Sequence, residues 1–214
     1  MTNSCHGSKT AESAMHEKIE IFLFRHGMTD ANEKKIYCGK SDVPLSEKGR
    51  EALKKKAGAS PDISFCRIYT SGLKRSSESL EILYPNLAKS SVEEKDFQEI
   101  DFGDFEMKSY DELKENPEYQ KWVQNEADRT DGEKENPCPN GESWAQMKSR
   151  AISALERILA NEWSVAIFSH GGIISAIMGH FFPNERKFLY DWQPDFGAGY
   201  KIRIEKGKAH WSKF

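Results

Sequence analysis

The sequence has no apolar run approaching the length of a membrane span, so no transmembrane helix is expected. It has no excess of one charge: 31 Lys and Arg stand against 34 Asp and Glu, a net charge of −3. That balance gives no sign of nucleic-acid binding or of adhesion to a membrane surface, while a local cluster of cations around a small anion is still allowed. Cysteine is scarce and scattered. Cys5, Cys38, Cys66 and Cys138 form no C-x-x-C pair and no zinc-like spacing, which points to free thiols in a reducing, cytoplasmic compartment. There is no internal repeat and no second domain boundary, and 214 residues suffice for one well-buried core. The first 18 residues are polar and lack the apolar centre of a signal peptide. They read as a disordered extension, with Met15 an alternative start and residues 19–214 a single domain. Cys5, His6 and His16 fall in that tail, where a floppy polar segment is a better account than a metal site.

What is present is organised around Ile19 to Thr29, where a mostly apolar run stops at Arg25-His26-Gly27. Such a run reads as a strand buried on both faces, and the residues beyond its end sit at the carboxyl edge, where open α/β sheets place their ligands. Arg25 brings a fixed cation, His26 an imidazole that titrates near physiological pH, and Gly27 a backbone free to turn and approach a ligand. For a single Arg-His pair, a surface cation beside a satisfied polar residue is the simpler account, so the remaining charged sites decide.

Thr29 to Leu45 reads as a loop, and Ser46 as the N-cap of a helix running to about Ala57. Phe65 to Ser71 is a second strand, and Gly72 to Tyr84 the loosely periodic helix after it, stopped by Pro85. Val92 to Ile100 suits a short edge strand. Residues 101–140 turn aromatic, acidic and proline-bearing, with short helices over Asp111–Glu115 and Pro117–Gln124; this is the composition of a cap inserted over a site, or of a solvated connection. Ser143 opens the clearest helix, with Trp144, Met147, Ala151, Ala154, Leu155, Ile158 and Leu159 on one face. Ser164 to Ser169 is a third buried strand, stopped by His170-Gly171-Gly172, and an apolar helix runs from Ile173 to His180. A hairpin around Lys206-Gly207 closes the chain.

Three strands thus end in polar signatures: Arg25-His26-Gly27, Thr70-Ser71-Gly72 with Arg75 one turn later, and Ser169-His170-Gly171-Gly172. Placed parallel and adjacent, they bring two arginines and two histidines to one edge, with helix N-termini that favour an anion.

These motifs resemble the histidine phosphatase superfamily, also called the phosphoglycerate mutase-like fold. The order Arg-His-Gly-x-Thr, Asn32, Thr-Ser-x-Leu-Lys-Arg, an acidic residue before Phe-Gly, and Ser-His-Gly-Gly covers roughly Ile19 to Glu205. The resemblance implies a three-layer α/β/α sandwich with a mostly parallel sheet. It implies His26 as the nucleophile, Arg25, Arg75 and His170 as the rest of the phosphate pocket, and Asn32 and the Gly171 amide as further donors. Glu99 falls where the family places its general acid, with Asp101 and Asp104 as alternatives. Thr29, Tyr37, Cys38 and Gly39 fall where the family lines its substrate site. No metal and no cofactor are implied, since the arginines and histidines take the electrostatic role an ion would fill. The partner is a small phosphomonoester, and the oligomeric state stays open. Met28 and Gly72 depart from the pattern without removing a group the chemistry needs. The strings Ile36-Tyr37-Cys38-Gly39 and Phe102 to Met107 look like the α-ribazole phosphatase branch, which grades into broad-specificity phosphatases; a phosphoglycerate mutase is the alternative within the family. A non-catalytic phospho-ligand module is the alternative of another class, and the presence of every core group argues against it. Phe102, Phe105, Tyr110, Tyr119 and Trp122 suit either an aromatic substrate wall or the packing of the cap.

Overall fold

A computed structural model describes residues 18–127, 137–185 and 189–214. The polar extension and residues 128–136 of the proposed cap lie outside the described residues, apart from Lys18, which opens the first strand. In chain order the regular elements are β1 (Lys18–Arg25), α1 (Asp30–Glu33), α2 (Glu47–Lys56), β2 (Arg67–Thr70), α3 (Lys74–Leu83), β3 (Val92–Glu93), α4 (Tyr110–Leu113), α5 (Pro117–Ala127), α6 (Trp144–Leu159), β4 (Ser164–Ser169), α7 (Gly171–Phe181), β5 (Gly199–Glu205) and β6 (Lys208–Lys213).

The six strands form one sheet in the order β3-β2-β4-β1-β5-β6. The pairs β1–β4, β2–β4 and β2–β3 are parallel, while β5 runs antiparallel to β1 and pairs with β6 as a hairpin. Side chains alternate across the strands into two cores. Ile21, Leu23, Val165 and Ile167 meet α6 and α7 through Met147, Leu155, Ile174 and Ile177. Phe22, Phe24, Ala166 and Phe168 meet α2 and α3 through Leu53, Leu80 and Leu83. This is the expected three-layer sandwich. Each fully buried Leu, Ile or Phe in it contributes about 1.5–3 kcal/mol of transfer free energy.

Three local expectations change. The segment after Thr29 holds a helical turn, α1, because Thr29 and Asn32 cap one another reciprocally; asparagine in place of the usual Glu or Gln hides that capping box in the sequence. The edge strand is only Val92–Glu93, after which the chain turns inward to bury Phe97 and carry Glu99 toward the site. Helix α3 starts at Lys74 rather than Gly72, whose φ of +80° lies outside the helical range. Its periodicity is loose because the buried face carries Arg75, Ser76 and Ser79 beside Leu80 and Leu83.

The described part of 101–140 has its own small core of Phe105, Leu113, Tyr119, Trp122 and Cys138. It is tied to the loop after α1 by the bridge between Ile36 and Ser109 and by the Tyr37 N–H donating to Lys108 O.

Candidate active site

The register decides which strand ends meet. Arg25 lies opposite Ser169, and Thr70 opposite Phe168, so the residues just beyond these strands all emerge at one carboxyl edge. His26 continues the ladder by donating its N–H to Ser169 O at 3.0 Å. The His26 and His170 rings lie 5.1 Å apart. Both are buried, at 5% and 0% exposure, as is Arg75 at 1%.

His26 Nδ1 is 2.6 Å from Gly27 O. A carbonyl can only accept, so Nδ1 carries the proton and Nε2 keeps its lone pair. Burial, then the charges of Arg75 and Arg25, hold His26 well below its ordinary pKa against the pull of that carbonyl. His170 has the opposite arrangement. Its Nδ1 accepts from Arg75 Nε at 3.3 Å, so Nε2–H donates to Ser71 Oγ at 2.9 Å. Burial, Arg75 and His26 depress its pKa as well.

Arg75 also donates from Nη1 to Ser41 O at 2.8 Å and from Nη2 to Gly39 O at 2.6 Å. With Nε on His170, one N–H on each terminal nitrogen is left for an anion. Arg25 stacks on Phe196, its Cζ 4.1 Å from the ring centre, and donates to Pro194 O at 2.8 Å. Its buried Nε has no hydrogen-bond partner among the described residues. Burial lowers the pKa of both guanidiniums, with Glu99 among the charges that oppose it; groups starting near 12.5 stay cationic.

Glu99 sits at the N-terminus of α7. Its Oε2 accepts from Gly172 N at 2.9 Å and its Oε1 from Ile100 N at 3.1 Å. A Cβ at Gly172 would meet Glu99 Oε1, so a larger residue there would displace the Glu99 carboxylate from this amide. Of the two alternative acids, Asp101 pairs with Lys40 at 3.3 Å and Asp104 accepts from Asn140 at 3.1 Å in an exposed position. Gly171, as the first residue of α7, has no intrahelical partner for its N–H. Asn32 accepts at Oδ1 from Thr29 N and Oγ1, leaving its NH₂ to donate elsewhere.

The loop over Arg75 is held by Glu106, whose carboxylate accepts from the N–H groups of Gly39, Lys40, Ser41 and Phe102. Gly39 comes so close to Ile100 O that a Cβ would not fit. Cys38 is half-buried beside Arg75, and burial raises its thiol pKa. Tyr37 packs into the cap: its hydroxyl meets that of Tyr119 at 2.6 Å and its ring meets Phe102 and Trp122. Gly27 also packs closely between β1 and α2: a Cβ there would lie 2.6 Å from Leu53 Cδ1, and the Leu53 side chain would have to shift.

Sequence reasoning missed two groups. Ser76 and Ser79 are fully buried; Ser76 Oγ donates to Phe168 O and Ser79 Oγ accepts from Gly27 N, joining α3 to β4 and to the His26 turn. Serines on the buried face of α3 were the available signal. Gln193 to Phe196 form a wall beside Arg25 and Gly171, and no local pattern marks them.

Two buried histidines held neutral make stability depend on pH. Their folded pKa values lie below the unfolded value of about 6.5, so the unfolded chain binds more protons as pH falls. Their contribution is full above about pH 6.5 and declines below it, by up to about 1.4 kcal/mol per pH unit for each histidine. Urea melts between pH 7.5 and 5.0 are expected to show this slope, and His26→Gln to remove about half of it. An unchanged slope in that variant would refute the assignment of His26 as a buried neutral ring.

Residues 21–214 match the model of the histidine phosphatase superfamily (branch 1). The chain is 30% identical over 161 residues to an uncharacterized phosphatase, PhoE, of Bacillus subtilis (strain 168), covering 74% of this chain and 75% of that protein. It is 27% identical over 167 residues to a probable phosphoglycerate mutase, GpmB, of Escherichia coli O1:K1 / APEC, covering 75% of each. The crystal structure of a putative alpha-ribazole-5'-P phosphatase from Escherichia coli K-12 MG1655 shares the fold, with a TM-score of 0.79 at 21% identity over 91% of this chain and 94% of that one.

Proposed function

The chain belongs to the histidine phosphatase superfamily, and from that footing we propose that it is a metal-independent phosphomonoester hydrolase working through a phosphohistidine at His26. The observation that carries this reading is the His26 tautomer: a buried neutral ring whose Nδ1–H is spent on Gly27 O, leaving the Nε2 lone pair. Arg25 and the two remaining Arg75 N–H groups bind the non-bridging oxygens, with the Gly171 amide and Asn32 as further donors. His26 Nε2 attacks phosphorus, the ester P–O bond breaks, and the leaving alkoxide takes a proton from Glu99. Glu99 then accepts a proton from water as the water attacks phosphorus, and the P–N bond to His26 breaks to release phosphate. Glu99 suits both steps better than Asp101 or Asp104, because its carboxylate sits on the Gly172 amide at the start of α7, next to His170, while Asp101 is paired with Lys40 and Asp104 is held by Asn140 in an exposed position. The fixed cations supply the charge stabilisation.

The leaving alcohol has two readings. The strings Ile36 to Gly39 and Phe102 to Met107 indicate α-ribazole 5′-phosphate. The second reading, a small hydroxylated alcohol such as a sugar, is favoured by a cavity of about 260 Å³ beside Glu99 that is lined by Lys40, Gln98, Asp101, Glu142 and Arg150 and has no aromatic face. Phe105, Tyr119 and Trp122 are 1%, 3% and 4% exposed, spent on the cap's own core. A cytoplasmic setting accords with the thiols of Cys38 and Cys66, which form no disulfide. Among the described residues no helix is long and apolar enough to cross a membrane.

Hydrolysis is expected to persist in excess EDTA and to be blocked by vanadate. Loss in EDTA with restoration by a divalent ion would overturn the reading. A panel ranked by kcat/KM separates the substrates: a lead of α-ribazole 5′-phosphate over ribose 5-phosphate greater than about tenfold assigns the first, since remote contacts then contribute to the transition state. Parity assigns the second, and a lead for 3-phosphoglycerate assigns neither.

A further inference from the structure

The stretch from Gln98 to Phe102 that carries Glu99 is neither helix nor strand, so its backbone groups need partners from elsewhere. Arg150, on α6, supplies them. Its Nη1 donates to Asp96 O at 2.7 Å and Gln98 O at 2.8 Å, and its Nη2 to Glu99 O at 3.1 Å. The remaining donors grip Glu142 as a fork, Nε to Oε1 at 2.7 Å and Nη2 to Oε2 at 2.8 Å. That uses all five N–H groups of the guanidinium. Glu142 in turn accepts from Asp101 N at 3.2 Å and donates its own N–H to Asp101 O at 2.8 Å. The pair therefore holds the chain on both sides of Glu99. A surface ion pair contributes little to stability, but this one is about four-fifths covered on each side chain, and two of its donors go to the irregular stretch with a third to the helical turn just before it.

We propose that Arg150, braced by Glu142, is a positioning residue that sets the place of the Glu99 carboxylate relative to the phosphoryl group on His26. Its guanidinium forms part of the wall of the cavity beside Glu99, but all five of its N–H groups are spent on protein, so it offers the substrate no donor and acts through the backbone of residues 96–101. The carboxylate is set from its other end by Gly172 N, so the two anchors fix both the height and the direction of the side chain. Lysine would not replace the arginine, because a single ammonium lacks the planar fork that reaches three carbonyls and a carboxylate together. This inference rests on the reading of Glu99 as the acid and base.

The test compares Glu99→Gln, Arg150→Met, Arg150→Lys and Glu142→Gln on an alkyl phosphate and on p-nitrophenyl phosphate, with the p-nitrophenolate burst from the aryl ester, one per His26 phosphorylated, counting competent sites. Glu99→Gln is expected to lose about a hundred- to ten-thousandfold in kcat/KM on the alkyl ester, whose leaving group needs a proton, and little on the aryl ester. Arg150→Met is expected to show the same split at about ten- to a hundredfold, as misplacement by an ångström would cause, with aryl kcat/KM within about threefold of the parent. Arg150→Lys stays near Arg150→Met, and Glu142→Gln shows a smaller split in the same direction. Equal losses on both esters at full burst, or no loss on either, overturn the proposal. If Arg150→Met gives no burst because it fails to fold, Glu142→Gln decides alone: no selective alkyl loss overturns the proposal. If Glu99→Gln shows no split, the acid reading itself fails and the inference falls with it.

Discussion

His26→Ala is expected to abolish turnover, by at least about a hundred-thousandfold in kcat, and with it every trace of phosphoenzyme. Alanine leaves no nitrogen to attack phosphorus, and no described group stands in its place. His170 is near, but its Nδ1 faces Arg75 and its Nε2–H faces Ser71, so no lone pair is available to it without losing both partners. The parent enzyme, quenched during turnover, is expected to carry label that is stable in alkali and lost in acid, all of it on His26. The variant is expected to carry none. It keeps both guanidiniums, so its affinity for vanadate is expected to fall by less than the loss in rate, which separates a missing nucleophile from a collapsed pocket. Label on a serine or an aspartate of the parent, or turnover that survives the substitution, would remove His26 from the mechanism.

Arg75→Met is expected to lower kcat/KM by about a thousand- to a hundred-thousandfold, the range over which one arginine stabilises a transferring phosphoryl group. Stability is expected to fall too. Arg75 is 1% exposed and donates to Gly39 O, Ser41 O and His170 Nδ1. Each acceptor left buried without a donor costs about 1–3 kcal/mol. Loop carbonyls regain water in part, so a net loss of about 2–4 kcal/mol is expected, read as a lower urea midpoint at unchanged slope. Arg75→Lys keeps the charge but cannot serve two carbonyls, a ring nitrogen and an anion together, so it is expected to recover no more than about tenfold in kcat/KM. A methionine variant within tenfold of the parent would mean that Arg75 orders the loop and does not bind the phosphoryl group.

The sequence determined a good deal. The buried runs ending at Arg25, Thr70 and Ser169 stated three strands and their carboxyl ends, because a strand covered on both faces writes its burial into consecutive residues. The α6 face was legible for the same local reason, a period of three to four over 16 residues with a cap at Ser143. Motif order indicated which charged residues gather. What the letters left open was how each group's hydrogen-bonding capacity is divided. Only the fold shows Nδ1 of His26 spent on Gly27 O, three of the five Arg75 donors spent on protein, and the Arg25 Nε left over. Only the fold brings in Pro194 and Phe196, from a loop 169 residues beyond Arg25 in the case of Pro194. It also turned Phe105, Tyr119 and Trp122 inward onto one another, a choice that composition treats as equal to a substrate wall, and left Tyr110 exposed. Periodicity reports burial against near neighbours in the chain. A hydrogen bond between residues 50 or more apart leaves no period, so it exists only once the strands have chosen their order and register.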